Sequence, residues 1–281
     1  MLNLTAFLSA KKITIIACGT SWHAGLVAEY LFEDAVRIPV EVEYASEFRY
    51  RNPIIRKGDV VIAISQSGES LDTLMAMRHA GEAGLQTIGL VNVDGSTIAR
   101  EADIVMPTRA GPEIGVASTK AFPAQLTALL SFSIALAEAR SEITAARRDE
   151  LHNHIQRLPS LVGKTLGLFD QIRPVAHSLM GARSALYLGR DVLFPVALEG
   201  ALKLKELSYI HAEGFASGEM KHGPIALIEK GLPVIALLAA DEVMGKAASN
   251  LQEASARGAR IILVTEECAA DTVDFADTTI T

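Results

Sequence analysis

Glu199, Lys203 and Glu206 recur at i, i+4 and i+7 within a stretch of helical period, 195–207, so all three project from one helix face. On an ordinary surface helix that pattern is a solvated Glu–Lys stripe. Here the rest of the stretch is Val, Ala, Leu and Gly, with Lys205 the one other charge, and it follows Gly189 at the end of a strand-like run. A carboxylate held beside an ammonium in a partly dry cleft can move a proton between adjacent carbons. His222 follows in Gly218-Glu219-Met220-Lys221-His222-Gly223-Pro224, where glycine and proline predict an exposed, sharply shaped loop that presents an imidazole able to transfer protons. His211 precedes it, and His23, His79, His152, His154 and His177 have no comparable setting. His152 and His154 stand at i, i+2 and do not share a helix face, and no cysteine or carboxylate cluster completes a ligand set, so neither a metal nor another cofactor is expected.

A second group of residues could hold an anion. Cys18-Gly19-Thr20-Ser21 follows one β-branched run, and Ser65-Gln66-Ser67-Gly68-Glu69-Ser70 follows another, each ahead of a helical segment. Hydroxyls and backbone N–H groups at a helix start bind an anion without a fixed positive charge, which suits a sugar phosphate that must enter and leave. Ser and Thr at such places are commonly N-caps. Two such loops, each with several hydroxyls and a glycine, favour an anion site. Glu113-Ile114-Gly115-Val116-Ala117-Ser118-Thr119-Lys120 again puts hydroxyls and a cation before a helix and could close the same pocket. Dinucleotide and ATP sites are unsupported: neither loop has G-x-G-x-x-G, and Gly163-Lys164-Thr165 has Leu158 where the first glycine of a P-loop belongs. Cys18 reads as a small buried hydrophobe.

Elements of two kinds must position these groups. Runs at 13–17, 40–44, 60–65, 87–91 and 104–107 read as buried strands separated mostly by helical segments, which means a parallel sheet with helices on both faces. A charged helical stretch at 138–158 follows, and then the pattern restarts with strand-like runs at 185–189, 233–238 and 261–265 and helical runs at 195–207 and 242–257. The expected fold class is therefore α/β, two α/β/α units with parallel sheets in tandem, divided as 1–140 and 141–281, the second ending on a short strand at 277–281 as a fragment would. The hydroxyl-rich turns of the first unit have no counterpart after Leu238, so the duplicated fold has specialised.

Composition narrows the partners. The 281 residues are 49% hydrophobic with a net charge of −7, which disfavours nucleic acid, and two cysteines without a leader point to a reducing cytoplasm. The uncharged stretch 121–137 is at the lower limit of a membrane span, but its Pro123, Gln125, Thr127 and two serines predict a helix buried between protein layers, with no membrane involved.

Taken together, Cys18 to Ser21, Ala45 to Arg51, Ser65 to Ser70, Glu113 to Phe122, Leu198 to Glu206, His211 to Glu213 and Glu219 to Pro224 resemble the isomerase half of the glucosamine-6-phosphate synthases, which is built from two sugar-isomerase (SIS) domains. The resemblance covers nearly the whole chain. It implies that Thr20, Ser21, Ser65, Gln66, Ser67 and Ser70 hold the phosphate and hydroxyls of a hexose 6-phosphate, with Val116 and Ser118 closing the pocket. It further implies that Glu206 shuttles the proton between C1 and C2, that Lys203 assists, and that His222, contributed by the neighbouring subunit of a homodimer and oriented by Glu199, helps open the ring. Glucosamine 6-phosphate would be made from fructose 6-phosphate and ammonia. The family's glutaminase domain and its C-terminal tail with the imine-forming lysine fall outside these residues, and Ser70 replaces a usual threonine. The rival expectations are a non-catalytic sugar-phosphate sensor and an isomerase for another phosphosugar.

Overall fold

Every position of the run 13–17 and of the run 60–65 is buried, and the reason is that helices cover both faces of the sheet they form. The computed structural model describes residues 5–281, with side chains from Ala6 onward. Two units divide between Leu158 and Pro159. In the first, α1 (Thr5–Leu8) leads into β1 (Ile13–Ala17), α2 (Thr20–Val36), β2 (Val40–Tyr44), α3 (Ala45–Phe48) and β3 (Val60–Ser65). There follow α4 (Leu71–Glu82), β4 (Gln86–Val91), α5 (Thr97–Glu101), β5 (Ile104–Pro107) and α6 (Ala121–Ala139). The next helix, α7 (Ala145–Leu166), carries the chain across the division. The second unit holds α8 (Phe169–Leu179), β6 (Ser184–Gly189), α9 (Leu193–Ser208), β7 (His211–Ala216), β8 (Pro233–Leu238), α10 (Met244–Ala256), β9 (Arg260–Thr265) and β10 (Thr278–Ile280).

Both sheets are five-stranded and wholly parallel, in the orders β2-β1-β3-β4-β5 and β7-β6-β8-β9-β10. Each unit thus places its second strand outside its first and adds the third, fourth and fifth on the other side. The repeat expected from the sequence is therefore present, and it gains an edge strand, β7, that completes the match in strand order.

Alternation along β1 divides its side chains between two layers. Ile13, Ile15 and Ala17 join Phe32 and Phe132 on one face, while Ile16 joins Phe48 and Met77 on the other. Phe132 meets Phe7 and Phe32 edge to face with ring centroids at 5.4 and 5.6 Å, so α6 is tied to α2 and to the chain start by aromatic packing. Half of this apolar helix is buried inside the protein, with Leu129, Phe132 and Leu136 in the core. On the same unit, Trp22 in the first turn of α2 stacks on Tyr44 with centroids 4.0 Å apart.

Three features differ from the sequence expectation. The stretch 138–158 is not one helix: α6 stops at Ala139, Ser141 takes a left-handed φ of 62°, and α7 then runs through Pro159 as far as Leu166. No residue of α7 is buried, so the carbonyl that Pro159 leaves without an N–H donor can be met by water. Helix α8, with Pro174 inside it, was not anticipated. Neither was β7, His-Ala-Glu-Gly-Phe-Ala, which lacks β-branched residues and forms the edge of its sheet by register with β6 from Ser184↔His211 to Gly189↔Ala216.

Candidate functional site

The carboxyl ends of β1 and β3 lie side by side, and each runs within a few residues into a helix. Between them opens a cavity of about 210 Å³. Thr20 and Ser21 line it from the start of α2, Ser65, Gln66, Ser67 and Ser70 from the β3–α4 loop, and Ser118 from the segment ahead of α6. Seven of the eight residues expected to hold the sugar phosphate are thereby brought to one concavity. Val116 is not among its walls; its side chain is 92% exposed.

The hydroxyls at these helix starts are not used as caps. Gly19 occupies the N-cap position of α2 and Ser70 that of α4, and no side chain caps either helix. The starts of two helices, the positive ends of their dipoles, thus carry no side-chain cap at this cavity. The β3–α4 loop is held by its own serines: Ser65 Oγ accepts from Gly68 N–H at 3.0 Å and Ser67 Oγ from Glu69 N–H at 3.2 Å. Each serine hydroxyl keeps its own proton as a donor. Gly68 has φ +66°, and a Cβ there would lie 1.9 Å from Ser96 Oγ, so only glycine fits. Glu69 Oε1 accepts from Thr97 N–H at 2.7 Å, and this bond holds its carboxyl below the usual carboxylate range.

Three wall residues with polar or thiol side chains were missed from the sequence as site residues. Gln125 on α6 is 1% exposed, donates through Nε2 to Ser21 Oγ at 2.9 Å, and leaves Oε1 without a partner. An amide side chain in a helix whose other uncharged polar residues are small hydroxyls was the available signal. Thr73 donates to Ser70 Oγ at 3.2 Å, one helical turn along α4, and the Cys18 thiol lies 3.8 Å from Thr73 Oγ1. Cys18 is half-buried against the core of Ile16 and Phe48 and also lines the cavity.

In the second unit α9 carries the proton-transfer candidates. Lys203 Nζ lies 2.7 Å from Glu206 Oε2 and 3.4 Å from Glu199 Oε1, so one ammonium is shared by two carboxylates along a single helix face. Burial grades along that face: the Glu199 side chain is 7% exposed, Lys203 18% and Glu206 35%. The buried end fixes the lysine, and the open end leaves a carboxylate that solvent and ligands can reach. His222 ends a 3-10 turn, Glu219–His222, on the exposed surface, followed by Gly223 at φ 142°. His211 at the start of β7 is exposed and 3.5 Å from Glu213.

Residues 6–135 and 178–281 match the family model described as SIS domain, one match on each unit. The chain belongs to the SIS domain family. Among SIS proteins it is 51% identical over 269 residues to the glutamine–fructose-6-phosphate aminotransferase [isomerizing] of Brucella abortus biovar 1 (strain 9-941), covering 96% of this chain and 44% of that protein. The same-named protein of Chlorobaculum tepidum is 53% identical over 261 residues, covering 92% and 42%. This SIS chain therefore spans less than half the length of these curated relatives. The solved C-terminal domain of glucosamine-fructose-6-phosphate aminotransferase from Francisella tularensis superposes with a TM-score of 0.96 at 40% identity, covering 98% of this chain and 78% of that one.

Proposed function

We propose that this chain carries the sugar-isomerising chemistry of a glucosamine-6-phosphate-forming enzyme, acting on fructose 6-phosphate. The observation that carries the reading is the cavity between β1 and β3, where two uncapped helix starts and a ring of hydroxyls face one space. The phosphate accepts from the N–H groups of α2 and α4 and from Thr20, Ser65, Ser67 and Ser70. Gln66, Ser21 and Ser118 meet sugar hydroxyls, and Val116 covers the bound sugar from its exposed loop. Relatives bearing the aminotransferase name support the choice of sugar.

In the chemical step ammonia condenses with the C2 carbonyl of the open-chain sugar to an imine, with loss of water. Glu206 then takes a proton from C1 of that imine and returns it at C2 while the C1 hydroxyl proton passes to the nitrogen, which leaves an amine at C2 and an aldehyde at C1. Lys203 holds that carboxylate in place, with Glu199 anchoring the lysine from the buried side. His222, exposed and mounted on a glycine-flanked turn, acts across the interface of a cytoplasmic homodimer to open the ring, oriented there by the neighbouring Glu199. The proposal assigns these 281 residues the sugar chemistry alone.

Calorimetric titration with fructose 6-phosphate and glucosamine 6-phosphate, against inorganic phosphate as control, tests the pocket. Saturable binding tighter than phosphate, lost in Thr20→Ala combined with Ser67→Ala, is expected; equal binding by that variant overturns it. For Glu206→Gln, solvent deuterium incorporation into the sugar catalysed by the enzyme should fall by roughly 10²-fold or more while affinity stays within about twofold. Lost affinity with unchanged exchange per bound sugar would make Glu206 a substrate-holding group instead.

A further inference from the structure

The second unit has a cavity that shares part of the placing of the first. In the first unit the walls come from the residues after β1, from the β3–α4 connection and from Thr73, the third residue of α4. In the second unit a cavity of about 430 Å³ is lined by Arg190, directly after β6, and by Lys246, the third residue of α10, with Ser249 and Asn250 one turn further on. Because β6 and α10 occupy the topological places of β1 and α4, the two cavities share two walls of one fold; the second takes its remaining wall from Gly218 and Lys221, after β7, where the first uses the β3–α4 connection. At the shared walls Arg190 and Lys246 stand where the first unit has Cys18 and Thr73.

The charges are left uncompensated. Lys221 on the rim is paired with Glu253 at 2.7 Å, but among the described residues neither Arg190 nor Lys246 is paired with a carboxylate. Arg190 is also the wall's fixed element. Its Nη1 donates to Oδ1 of Asn250, a side chain only 5% exposed, at 3.2 Å, and a Cβ on Gly218 would lie 3.0 Å from the same nitrogen. Gly218 thus leaves the guanidinium its seat, and Ser217 before it is 2% exposed with a hydroxyl that has no partner. Lys246 lies in the first turn of α10, whose dipole adds a partial positive charge there, although Asp241 Oδ1 already accepts from the N–H of the N-cap residue Val243 at 2.9 Å. A buried amide that positions a half-buried guanidinium, with nothing anionic to receive it, is a built acceptor for a ligand that the chain itself does not supply.

We propose that this second cavity binds a phosphate monoester, its dianion held between Arg190 and Lys246 at the start of α10. Two uncompensated cations match the charge of about −2 on such a group, and the volume is that of a small-metabolite site. The site is independent of the hydroxyl-lined cavity and of the sugar chemistry proposed for it.

The probe is glycerol 3-phosphate, followed by amide chemical shifts on the isotope-labelled chain, with glycerol as the neutral control. At about 10 mM, roughly ten times a 1 mM Kd, the amides of Gly218, Gly245, Lys246, Ser249 and Asn250 should move saturably with phosphate ester and not with glycerol. Those shifts should persist in Thr20→Ala with Ser67→Ala, which disables the first cavity, so the two proposals fail separately. Arg190→Met and Lys246→Met should each weaken the effect by about tenfold or more. Lys246 is exposed, so Lys246→Met keeps the test valid if the Arg190 variant fails to fold. No saturable movement of these amides, or movement undiminished by Lys246→Met, overturns the assignment.

Discussion

Gln125 shows how a single buried amide can bind two distant parts of a sequence into one site. It lies 104 positions from Ser21, and its Nε2 bond fixes the serine hydroxyl that lines the cavity. Replacing it with leucine removes the donor and should cost about 1–2 kcal/mol in urea unfolding, with weaker binding of fructose 6-phosphate. Gly68→Ala should be more severe, roughly 2–4 kcal/mol by the same measurement, because the left-handed φ and the collision with Ser96 add. A stability within about 0.5 kcal/mol of the parent would show that the β3–α4 loop can rearrange around a methyl group. At this scale the sequence is legible where a residue's role is local. Glycine and serine around 65–70 announce a tight, hydroxyl-rich turn, whereas Gln125 and Thr73 acquire their roles from partners that only the folded chain brings near.

Elements carry the next layer of consequence. Glu69 reaches from the β3–α4 loop to the first N–H of α5, so one carboxylate ties the cavity wall to a neighbouring helix. Its pKa is depressed in the folded protein by the Thr97 backbone bond, so the stabilisation is fully present above the ordinary glutamate value of about 4.3 and is lost as pH falls through the lowered folded value. The melting temperature of Glu69→Ala should therefore lie below that of the parent at neutral pH, and the gap should close in acid; a gap independent of pH would refute the tether. Strands with β-branched runs were legible in the sequence because burial on both faces demands such residues. The edge strand β7 was not, because its place is secured by pairing with β6 and its composition resembles a loop. On α9 the spacing of Glu199, Lys203 and Glu206 sufficed to predict a shared face, and the gradation of burial along it needed the structure.

For the whole molecule, two sheets of identical strand order carry two cavities of opposite construction, one lined by hydroxyls and one by cations. Their response to salt should separate them. Sugar phosphate binding in the first unit should fall by less than about threefold as the Debye length shrinks from ~30 to ~8 Å, whereas phosphate-ester binding in the second should fall several times more steeply. Equal slopes, read by titration at the two ionic strengths, would argue against that division. The tandem arrangement was legible because strand and helix periods restart after residue 158. The cavity in the second unit was not, since losing the serines reads in sequence as losing the site; Arg190 and Lys246 lie 56 positions apart and only the fold sets them around one cavity.

Trp22, stacked on Tyr44 and one residue along α2 from Ser21, is the single tryptophan of the chain. The molecule therefore has a native optical reporter beside its hydroxyl-lined cavity. Occupancy of that cavity should change the intensity or wavelength of tryptophan emission without any label, and the change should vanish in Thr20→Ala with Ser67→Ala. Tyr44→Leu, which removes the stacking partner, should alter the resting emission and leave the ligand dependence in place.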